Sequence, residues 1–567
     1  MSAEIDPKAV AVLAAASEPM PEVPLVVLKS RGVVLVFGCD AQAIEAGHLL
    51  EEHLDVTVLV TPPAAVRPPH AHDFPIAKGS IRSAKGHFGA FEIIVDDFAL
   101  LEPNSGETSF GLPRNGAVSH CDLILDLSGG NPLFTAADLR DGYLRADPKD
   151  HVGTRNAVSR ARELIGTFEK PRYITFTEHL CAHSRSKITG CTRCLDLCPT
   201  GAILPAGDHV AIDANICAGC AQCAAACPTG AAAYTMPPAD ALMRKLRILL
   251  MAYADAGGER PTVLVHDEPH GSPLIDVLTQ FGEGLPAQVL PLRVNEVTQV
   301  DLETIAAAFV YGAAAMRFLT RSRARHDISG LHKTIALAES ILAALGFGES
   351  RLATIETDDP DTLGSALRAI PTMDSTPRPA SFLPLGGDKR GVARSILREL
   401  HRAAPAPVDV AALPHQAPFG SVEIDVAGCT LCLACVSACP TGALTDNFEQ
   451  PMLRFTEDAC IQCGLCKSTC PERVITLKPQ LDFRAAAASA RILKAEQPFC
   501  CVRCGKAFGV RSMIERVSAK LAEKHWMYKD SAKRLDLIKM CEDCRVAAVS
   551  EENLDPYGPP RAAVRTT

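Results

Sequence analysis

The sequence predicts a multidomain chain of α/β plus α+β class: two compact cysteine-rich modules, two α/β scaffold domains and a small C-terminal metal-binding module. Three observations predict this arrangement. The chain has 567 residues, which is enough for roughly three or four domains of ordinary size. Its 23 cysteines fall mainly into three groups with long cysteine-free stretches between them. Its hydrophobic share of 47% and charged share of 22% are typical of folded protein.

Charge and hydropathy exclude several classes of function. The formal charge is −9, from 57 Lys and Arg against 66 Asp and Glu, so we expect no general attraction for nucleic acid or anionic membrane. No apolar run approaches the roughly 18 to 20 residues that a membrane span requires. The N-terminus opens acidic and carries no twin arginine. We therefore expect a cytoplasmic protein whose cysteines are metal ligands or free thiols rather than disulfides.

The second cysteine group has the most regular spacing. Its cysteines follow C-x2-C-x2-C-x3-C-P twice. The two-residue gaps let three thiolates surround one cubane, while the fourth thiolate, before the proline, reaches the neighbouring cluster. Structural zinc sites also use Cys-x2-Cys, but two complete runs closed by Cys-Pro argue against them. The predicted ligand sets are Cys429, Cys432, Cys435 and Cys470 for one cluster, and Cys439, Cys460, Cys463 and Cys466 for the other.

The first cysteine group has the same design with one irregularity. The run that ends at Pro199 has Ile188 where its first cysteine belongs, and the nearest candidate, Cys181, stands seven residues earlier. Cys181 can reach the cluster if the intervening segment loops out. The alternatives are a three-iron cluster beside a buried Cys181 thiol, or a non-cysteine ligand such as His183. The predicted ligand sets are Cys181, Cys191, Cys194 and Cys227 for one cluster, and Cys198, Cys217, Cys220 and Cys223 for the other.

Both groups resemble bacterial-type two-cluster ferredoxins. Three of the four Cys-Pro pairs continue as Thr-Gly-Ala, and a short apolar stretch precedes the second run of each group. The resemblance implies a fold in which β-hairpins and single-turn helices enclose two 4Fe–4S clusters. A cubane held by four thiolates has no open coordination position, so it favours one-electron transfer over substrate chemistry. We therefore predict an electron carrier with four clusters rather than a catalyst.

The third cysteine group has a different pattern. Cys501 and Cys504 form a Cys-x2-Cys-Gly turn, and Cys541 and Cys544 form a second pair. Two such pairs around one tetrahedral ion are typical of structural zinc, and a rubredoxin-like iron site is the alternative. Cys500 is adjacent, but the turn favours Cys501. The surrounding segment is basic, which we interpret as a solvated helix face or a docking surface for an acidic redox partner rather than a nucleic-acid site.

Two cysteine-poor segments are predicted to be α/β scaffold. The N-terminal one is Rossmann-like, with a strand at 32–38, a helix at 41–54 and a strand at 56–60. Its Gly38-Cys39-Asp40 turn lacks the later glycines of G-x-G-x-x-G, so flavin or NAD binding is not favoured. The second segment has predicted strands at 262–265 and 309–311. Its predicted helices lie near residues 272–281, 301–308 and 330–345.

The second scaffold segment is similar to the delta subunit of methyl-viologen-reducing hydrogenases over Leu302 to Arg317 and Leu331 to Arg351. It lacks that family's cysteine ligands for a 2Fe–2S cluster, so the similarity implies only the fold.

The predicted divisions are 1–170, the Rossmann-like domain; 171–238, the first cysteine module; 239–370, the second α/β domain; 371–420, a proline-rich linker with one short helix; 421–482, the second cysteine module; and 483–567, the zinc-like module and tail.

Taken whole, the chain resembles the four-cluster ferredoxin proteins encoded beside molybdenum-dependent formate dehydrogenases in proteobacteria. The phrases CAHSRSKITGCTRCLDLCPTGAI and FCCVRCGKAFG carry this resemblance. It implies a formate dehydrogenase, or its acceptor, as the redox partner. Two alternatives stay open: an enzyme subunit that binds FAD or NAD at its N-terminal domain and feeds the clusters, and an accessory protein for metalloenzyme assembly.

Overall fold

The computed structural model describes residues 6–61, 73–102, 110–376, 379–384, 387–447, 450–526, 528 and 532–551. It has mixed α/β architecture with several separate sheets. Within the described residues, no helix combines the length and the apolar character needed to cross a bilayer.

The N-terminal part of the chain is built around one seven-stranded sheet. Its elements are α1 (Pro7–Ala16), β1 (Leu25–Ser30), β2 (Val33–Gly38), α2 (Asp40–Leu50), β3 (Asp55–Val60), β4 (Ile76–His87), β5 (Ala90–Leu100), β6 (Ala117–Cys121), β7 (Leu123–Leu127), β8 (Tyr143–Arg145), α3 (His151–Glu163) and β9 (Gly166–Pro171). The strand order is β6-β5-β4-β3-β2-β7-β8. The strand–helix–strand opening that the sequence predicts is present, with α2 ending at Leu50 rather than Leu54.

Burial explains why the centre of this sheet is parallel. Strands β2 and β7 are almost continuous apolar runs, and two separate apolar cores cover the two faces of the sheet. Parallel strands covered on both faces have this composition. Helix α1 is an exception to the predicted division, because its Ala11 and Ala15 are buried in the core of the second α/β domain.

The first cysteine module consists of short hairpins and single-turn helices. Its elements are β10 (Ile174–Phe176), β11 (Ser184–Arg185), β12 (Ile188–Thr189), α4 (Arg193–Leu197), β13 (Ile203–Ala206), β14 (His209–Ile212), α5 (Gln222–Ala226) and β15 (Ala232–Tyr234). Strands β10 and β15, β11 and β12, and β13 and β14 form three antiparallel pairs. Helices α4 and α5 each carry one cysteine and end immediately before another.

The second α/β domain has a four-stranded parallel sheet in the order β17-β16-β18-β19. Its elements are α6 (Ala239–Asp255), β16 (Thr262–Asp267), α7 (Gly271–Phe281), β17 (Val289–Val294), α8 (Leu302–Val310), β18 (Ala315–Thr320), α9 (Ser329–Ala344), β19 (Leu352–Glu356) and α10 (Pro360–Arg368). The strand predicted at 309–311 is wrong, because Phe309 and Val310 complete helix α8 and Tyr311 is its C-cap. Every residue of α8 is buried, and a short buried helix cannot be told from a strand by periodicity alone.

The stretch predicted as a linker packs against this domain. It contains α11 (Lys389–Arg402), β20 (Val410–Ala412) and the first residues of β21 (Gly420–Ile424). The side chain of Asp388 caps the N-terminus of α11. The apolar face of this helix, with Ile396, Leu397 and Leu400, packs into the core that also contains α8. The segment is therefore part of a packed structure rather than a flexible spacer.

The second cysteine module and the C-terminal segment complete the described chain. Their further elements are α12 (Ala434–Ser437), β22 (Leu444–Thr445), β23 (Met452–Phe455), α13 (Leu465–Thr469), β24 (Ile475–Asp482), β25 (Arg491–Ala495), β26 (Pro498–Cys500), β27 (Ala507–Val510), α14 (Arg511–Lys524), α15 (Ala532–Ile538) and α16 (Glu542–Glu551). Strand β25 pairs with β23, so the sheet of this module continues past residue 482, where the sequence places the division.

Candidate metal centres

Two small cavities in the second cysteine module are each walled by four thiols. Each cavity takes three cysteines from one run and the last cysteine from the other run, which is the crossed arrangement that the sequence predicts. None of these eight cysteines forms a disulfide. One cavity is lined by Cys429, Cys432, Cys435 and Cys470, and the other by Cys439, Cys460, Cys463 and Cys466.

Left-handed residues between the cysteines wind the chain around each cavity. Leu431 has φ 48° and Leu433 has φ 59°, and in the next run Gln462 has φ 55° and Gly464 has φ 84°. This conformation strains a non-glycine residue, but it aims backbone N–H groups at sulfur. The N–H of Leu431 donates to the Cys429 sulfur, and the N–H of Gln462 donates to the sulfur two residues before it. Hydrogen bonds to sulfur are one means by which a protein tunes a cluster potential.

The four thiols of a set suit a highly charged metal group. Burial first, and then the negative charge of the other three cysteines of its set, raises the pKa of Cys435 to about 12. Burial also raises the pKa of Cys463 to about 11. Thiols in such a place ionise only when a cation compensates them, and thiolate is the form that binds metal. The donor set therefore fits an iron–sulfur cluster.

The first module brings Cys181 to the other three cysteines of its predicted set. Burial raises the pKa of Cys194 to about 12, and the further causes are the charges of Cys191, Cys227 and Cys181. The pKa of Cys181 is raised by burial and then by the charges of Cys227 and Cys191. The second predicted set is also brought together, since charge interactions join Cys220 to Cys198 and Cys217, and join Cys223 to Cys220, Cys217 and Cys198.

A β-hairpin accounts for the displaced cysteine. Strands β11 and β12 pair directly after Cys181, and Ser186 and Lys187 make the turn with φ 51° and φ 66°. Two left-handed turn residues are the geometry that two-residue hairpins favour. At the base of the hairpin, the N–H of Cys191 donates a hydrogen bond to the Ala182 carbonyl oxygen. The extra residues therefore loop out, as the prediction for Cys181 requires.

Two kinds of contact made by Cys181 are also made by the first cysteine of each complete run. Its sulfur accepts a hydrogen bond from the N–H two residues later, that of His183. In addition, its carbonyl oxygen accepts from a basic side chain. The four carbonyl contacts are Arg185 with Cys181, Lys170 with Cys217, Lys494 with Cys429, and Arg390 with Cys460. His183 is the alternative ligand. Its ring Nδ1 donates a hydrogen bond to the Cys191 carbonyl oxygen at 3.0 Å.

Sequence reasoning missed these four basic residues. Lys170 and Lys494 lie outside the cysteine runs on β9 and β25, and Arg390 lies on α11 in the predicted linker. Arg185 lies only four residues after Cys181, but no spacing relates the other three to the cysteines, so only the folded chain reveals those three. Each places a positive charge beside a predicted cluster ligand.

We expect Lys494→Met to lower the reduction potential of the cluster held by Cys429. A reduced cluster carries one more negative charge than an oxidised one, and the ammonium stabilises that charge. Loss of the ammonium should shift the potential on the order of 50 mV more negative. Potentiometric titration followed by electron paramagnetic resonance measures it. The control is Lys478→Met in the same module, an exposed lysine paired with Glu423; equal shifts in both variants would refute the assigned role.

The two cysteine modules meet edge to edge. The returning strand of the hairpin lies against α13, and a Cβ at Gly190 would stand 2.6 Å from Cγ of Leu465. At this junction the charge of Cys191 contributes to the raised pKa of Cys463, after burial and nearer cysteines. One predicted cluster of the first module therefore lies beside one predicted cluster of the second.

Helix α11 joins the two modules from the side. The Nζ of Lys389 donates to the Ala224 carbonyl oxygen in the first module at 2.7 Å. The next residue, Arg390, donates to the carbonyl oxygens of Asp458 and Cys460 in the second module. Burial, followed by the charge of a neighbouring arginine, lowers the pKa of Arg390 to about 10. Adjacent residues of one helix thus contact both modules.

The C-terminal cysteines form a compact four-sulfur group. The sulfur atoms of Cys501, Cys504, Cys541 and Cys544 all lie within 4.8 Å of one another. Cys501 is buried whereas Cys500 is exposed, as the turn predicts. Although burial opposes it, backbone N–H groups lower the pKa of Cys501 to about 6, which favours the thiolate. The group can hold one metal ion.

In the N-terminal sheet, close contacts join the strand ends where the alternative nucleotide site would lie. Ligands of such sheets bind outside the carboxyl ends of the strands. Here the Cys39 sulfur lies 3.2 Å from Oγ1 of Thr61 and 3.7 Å from the carbonyl oxygen of Ser128. A Cβ at Gly38 would stand 3.0 Å from the Leu127 carbonyl oxygen. These contacts link the ends of β2, β3 and β7.

Comparison with known families agrees with the module geometry. Residues 172–231 and residues 428–475 each match a 4Fe–4S dicluster domain. No curated protein matches the chain. The chain therefore contains two 4Fe–4S dicluster ferredoxin domains. Such domains support an iron–sulfur electron-transfer role and a redox partner.

Proposed function

We propose that the protein relays single electrons through four 4Fe–4S clusters, two on each ferredoxin domain. The observation that carries the proposal is the junction at Cys191 and Cys463, where the domains meet at their predicted clusters. Electron transfer slows steeply as the separation of two centres grows, so separate carriers would not need this contact. The proposed ligands are the four sets of Cys181, Cys191, Cys194, Cys227; Cys198, Cys217, Cys220, Cys223; Cys439, Cys460, Cys463, Cys466; and Cys429, Cys432, Cys435, Cys470.

This arrangement gives the relay an order. The sets that contain Cys191 and Cys463 are the inner pair, and the sets that contain Cys217 and Cys429 are the outer pair. Electrons would enter at one outer set and leave at the other. When bound, each cluster supplies one-electron redox chemistry. The chain would bury the clusters, direct backbone N–H groups at the cysteine sulfurs, and place basic side chains on the carbonyl oxygens of ligand cysteines.

The partner, the location and the C-terminal metal are finer parts of the proposal. The resemblance to ferredoxin proteins encoded with formate dehydrogenases supports a cytoplasmic formate dehydrogenase as the electron donor. The four sulfur atoms of the C-terminal group support one zinc ion at Cys501, Cys504, Cys541 and Cys544, since two Cys-x2-Cys pairs are typical of structural zinc. A docked C-terminal module would then stabilise the fold without taking part in electron transfer.

Anaerobic purification followed by metal analysis tests the proposal. We expect about sixteen irons and one zinc per chain, with no bound flavin. Reduction by purified formate dehydrogenase and formate, followed by electron paramagnetic resonance, then tests the partner. Iron near half that amount would contradict four clusters, and near-unit flavin would favour the enzyme-subunit alternative. If the protein carries its full iron but formate dehydrogenase does not reduce it, the carrier role stands and this donor is excluded.

A further inference from the structure

A cavity of about 360 Å³ lies between the first ferredoxin domain, helix α9 and the segment before β21. Its volume lies within the range of small-molecule sites, which often form at domain interfaces. Its wall is largely apolar and includes Leu197, Leu337 and Phe419. Among the cysteines predicted as ligands, only Cys227 lines it, so it is distinct from the cluster positions.

Three cationic side chains line the cavity without carboxylate partners. Arg193 donates to the Gln416 carbonyl oxygen at 2.7 Å, and Arg390 donates only to carbonyl oxygens, including that of Pro418 at 2.7 Å. The third cation, Lys333, is exposed on α9. Over the described part of the chain, none of the three makes an ion pair with a carboxylate.

The carboxylates of the wall are already engaged. Asp196 accepts a hydrogen bond from Oγ1 of Thr192 at 2.8 Å, and Glu303 lies 3.8 Å from Nζ of Lys389. The cavity therefore combines apolar surface with cationic side chains that are not paired with a carboxylate in the described part of the chain. A ligand that matches it has an apolar body and at least one anionic group.

The cavity also lies against one inner cysteine set. Cys227 forms part of its wall, and Nη1 of Arg193 lies 3.9 Å from the sulfur of Cys191. On the other side, Arg390 reaches the carbonyl oxygen of Cys460. A molecule in this cavity would lie close to the junction of the two ferredoxin domains.

We propose that this cavity binds a planar aromatic anion of about three fused rings, of the anthraquinone sulfonate type. Its rings would pack against Leu337 and Pro414, and its anionic group would lie near Lys333 and Arg193. The site goes beyond the proposed relay, which needs no small molecule.

Isothermal titration calorimetry of the iron-loaded full chain with anthraquinone-2-sulfonate tests the site. We expect saturable binding of one molecule per chain. Uncharged 2-(hydroxymethyl)anthraquinone should bind at least about tenfold more weakly, because it lacks the anion. Lys333→Met should weaken sulfonate binding about threefold, as expected for one partly exposed charge.

A pair of tryptophan variants on α9 provides the matched control. Ala336 lines the cavity, whereas Ala343 is exposed on the same helix and does not. Ala336→Trp should weaken binding by about tenfold or more by filling the cavity, and Ala343→Trp should leave it unchanged. Absence of saturable binding to wild type, equal binding of the neutral analogue, or equal effects of the two tryptophans would each overturn the proposal. Iron content, measured in the same samples, separates these outcomes from failure of the relay.

Discussion

Replacing Cys181 by serine is expected to remove an intact 4Fe–4S cluster and to leave the other three. A β-hairpin separates Cys181 from the rest of its run, yet its sulfur is close to Cys191, Cys194 and Cys227. With three cysteines left, that site should lose iron or hold a three-iron cluster, so total iron should fall by about one to four of sixteen atoms. Metal analysis and electron paramagnetic resonance of the anaerobic protein measure both quantities.

The chain offers a control that matches Cys181 in burial. Cys121 is 6% exposed against 7% for Cys181, and it lies in the N-terminal sheet away from the cysteine groups. Cys121→Ser should therefore retain all iron while introducing the same hydroxyl into an apolar core. Four unchanged cubane signals in Cys181→Ser would refute the assignment, and loss of a cluster in His183→Ala would then identify His183 as the ligand.

Lys389→Met is expected to cost about 3 to 5 kcal/mol of unfolding free energy, because it leaves the buried Asp301 carboxylate without its cation. Nζ of Lys389 lies 3.2 Å from Asp301 and 3.8 Å from Glu303, and it also donates to the Ala224 carbonyl oxygen. Burial raises the pKa of Glu303 to about 8, so at neutral pH this carboxyl is mostly protonated and Asp301 carries the buried negative charge. The variant therefore weakens both the second α/β domain and its attachment to the first ferredoxin domain. Urea denaturation followed by circular dichroism measures the loss.

Two further variants test the cause of this loss. Arg402 lies on the same helix, is exposed, and pairs with Glu399 one turn away. Arg402→Met should cost no more than about 0.5 kcal/mol, as is usual for a surface pair. Adding Asp301→Asn to Lys389→Met should recover part of the stability, since the unpaired carboxylate is removed while an amide oxygen can still cap α8. A double variant no more stable than the single one would show that lost packing, rather than unpaired charge, causes the effect.

The hairpin after Cys181 connects two features that the sequence presents separately. It places the cysteine despite the irregular spacing, and its returning strand reaches Gly190, which packs on Leu465 of the second ferredoxin domain. The irregular run is thus the one at the domain junction. The missing side chain of Gly190 permits this close approach, because a Cβ there would overlap with Leu465.

Local spacing alone determined the three complete cysteine runs and the two C-terminal pairs. Ligands separated by two or three residues share one short segment of backbone, so their types and spacing are enough to predict how they converge. The buried strands β2 and β7 were likewise readable, since each is an almost continuous apolar run of the kind found in parallel sheets.

Only the tertiary structure decided the features that depend on contacts between distant segments. The basic side chains that reach cysteine carbonyls from β9, β25 and α11, the junction at Cys191 and Cys463, and the packing of α11 join parts of the chain that no spacing relates. The buried helix α8 was read as ending in a strand for a similar reason, because burial on all sides erases the periodicity that separates the two. The sequence alone therefore revealed that the chain is built to hold clusters, and the fold decided how they are arranged and connected.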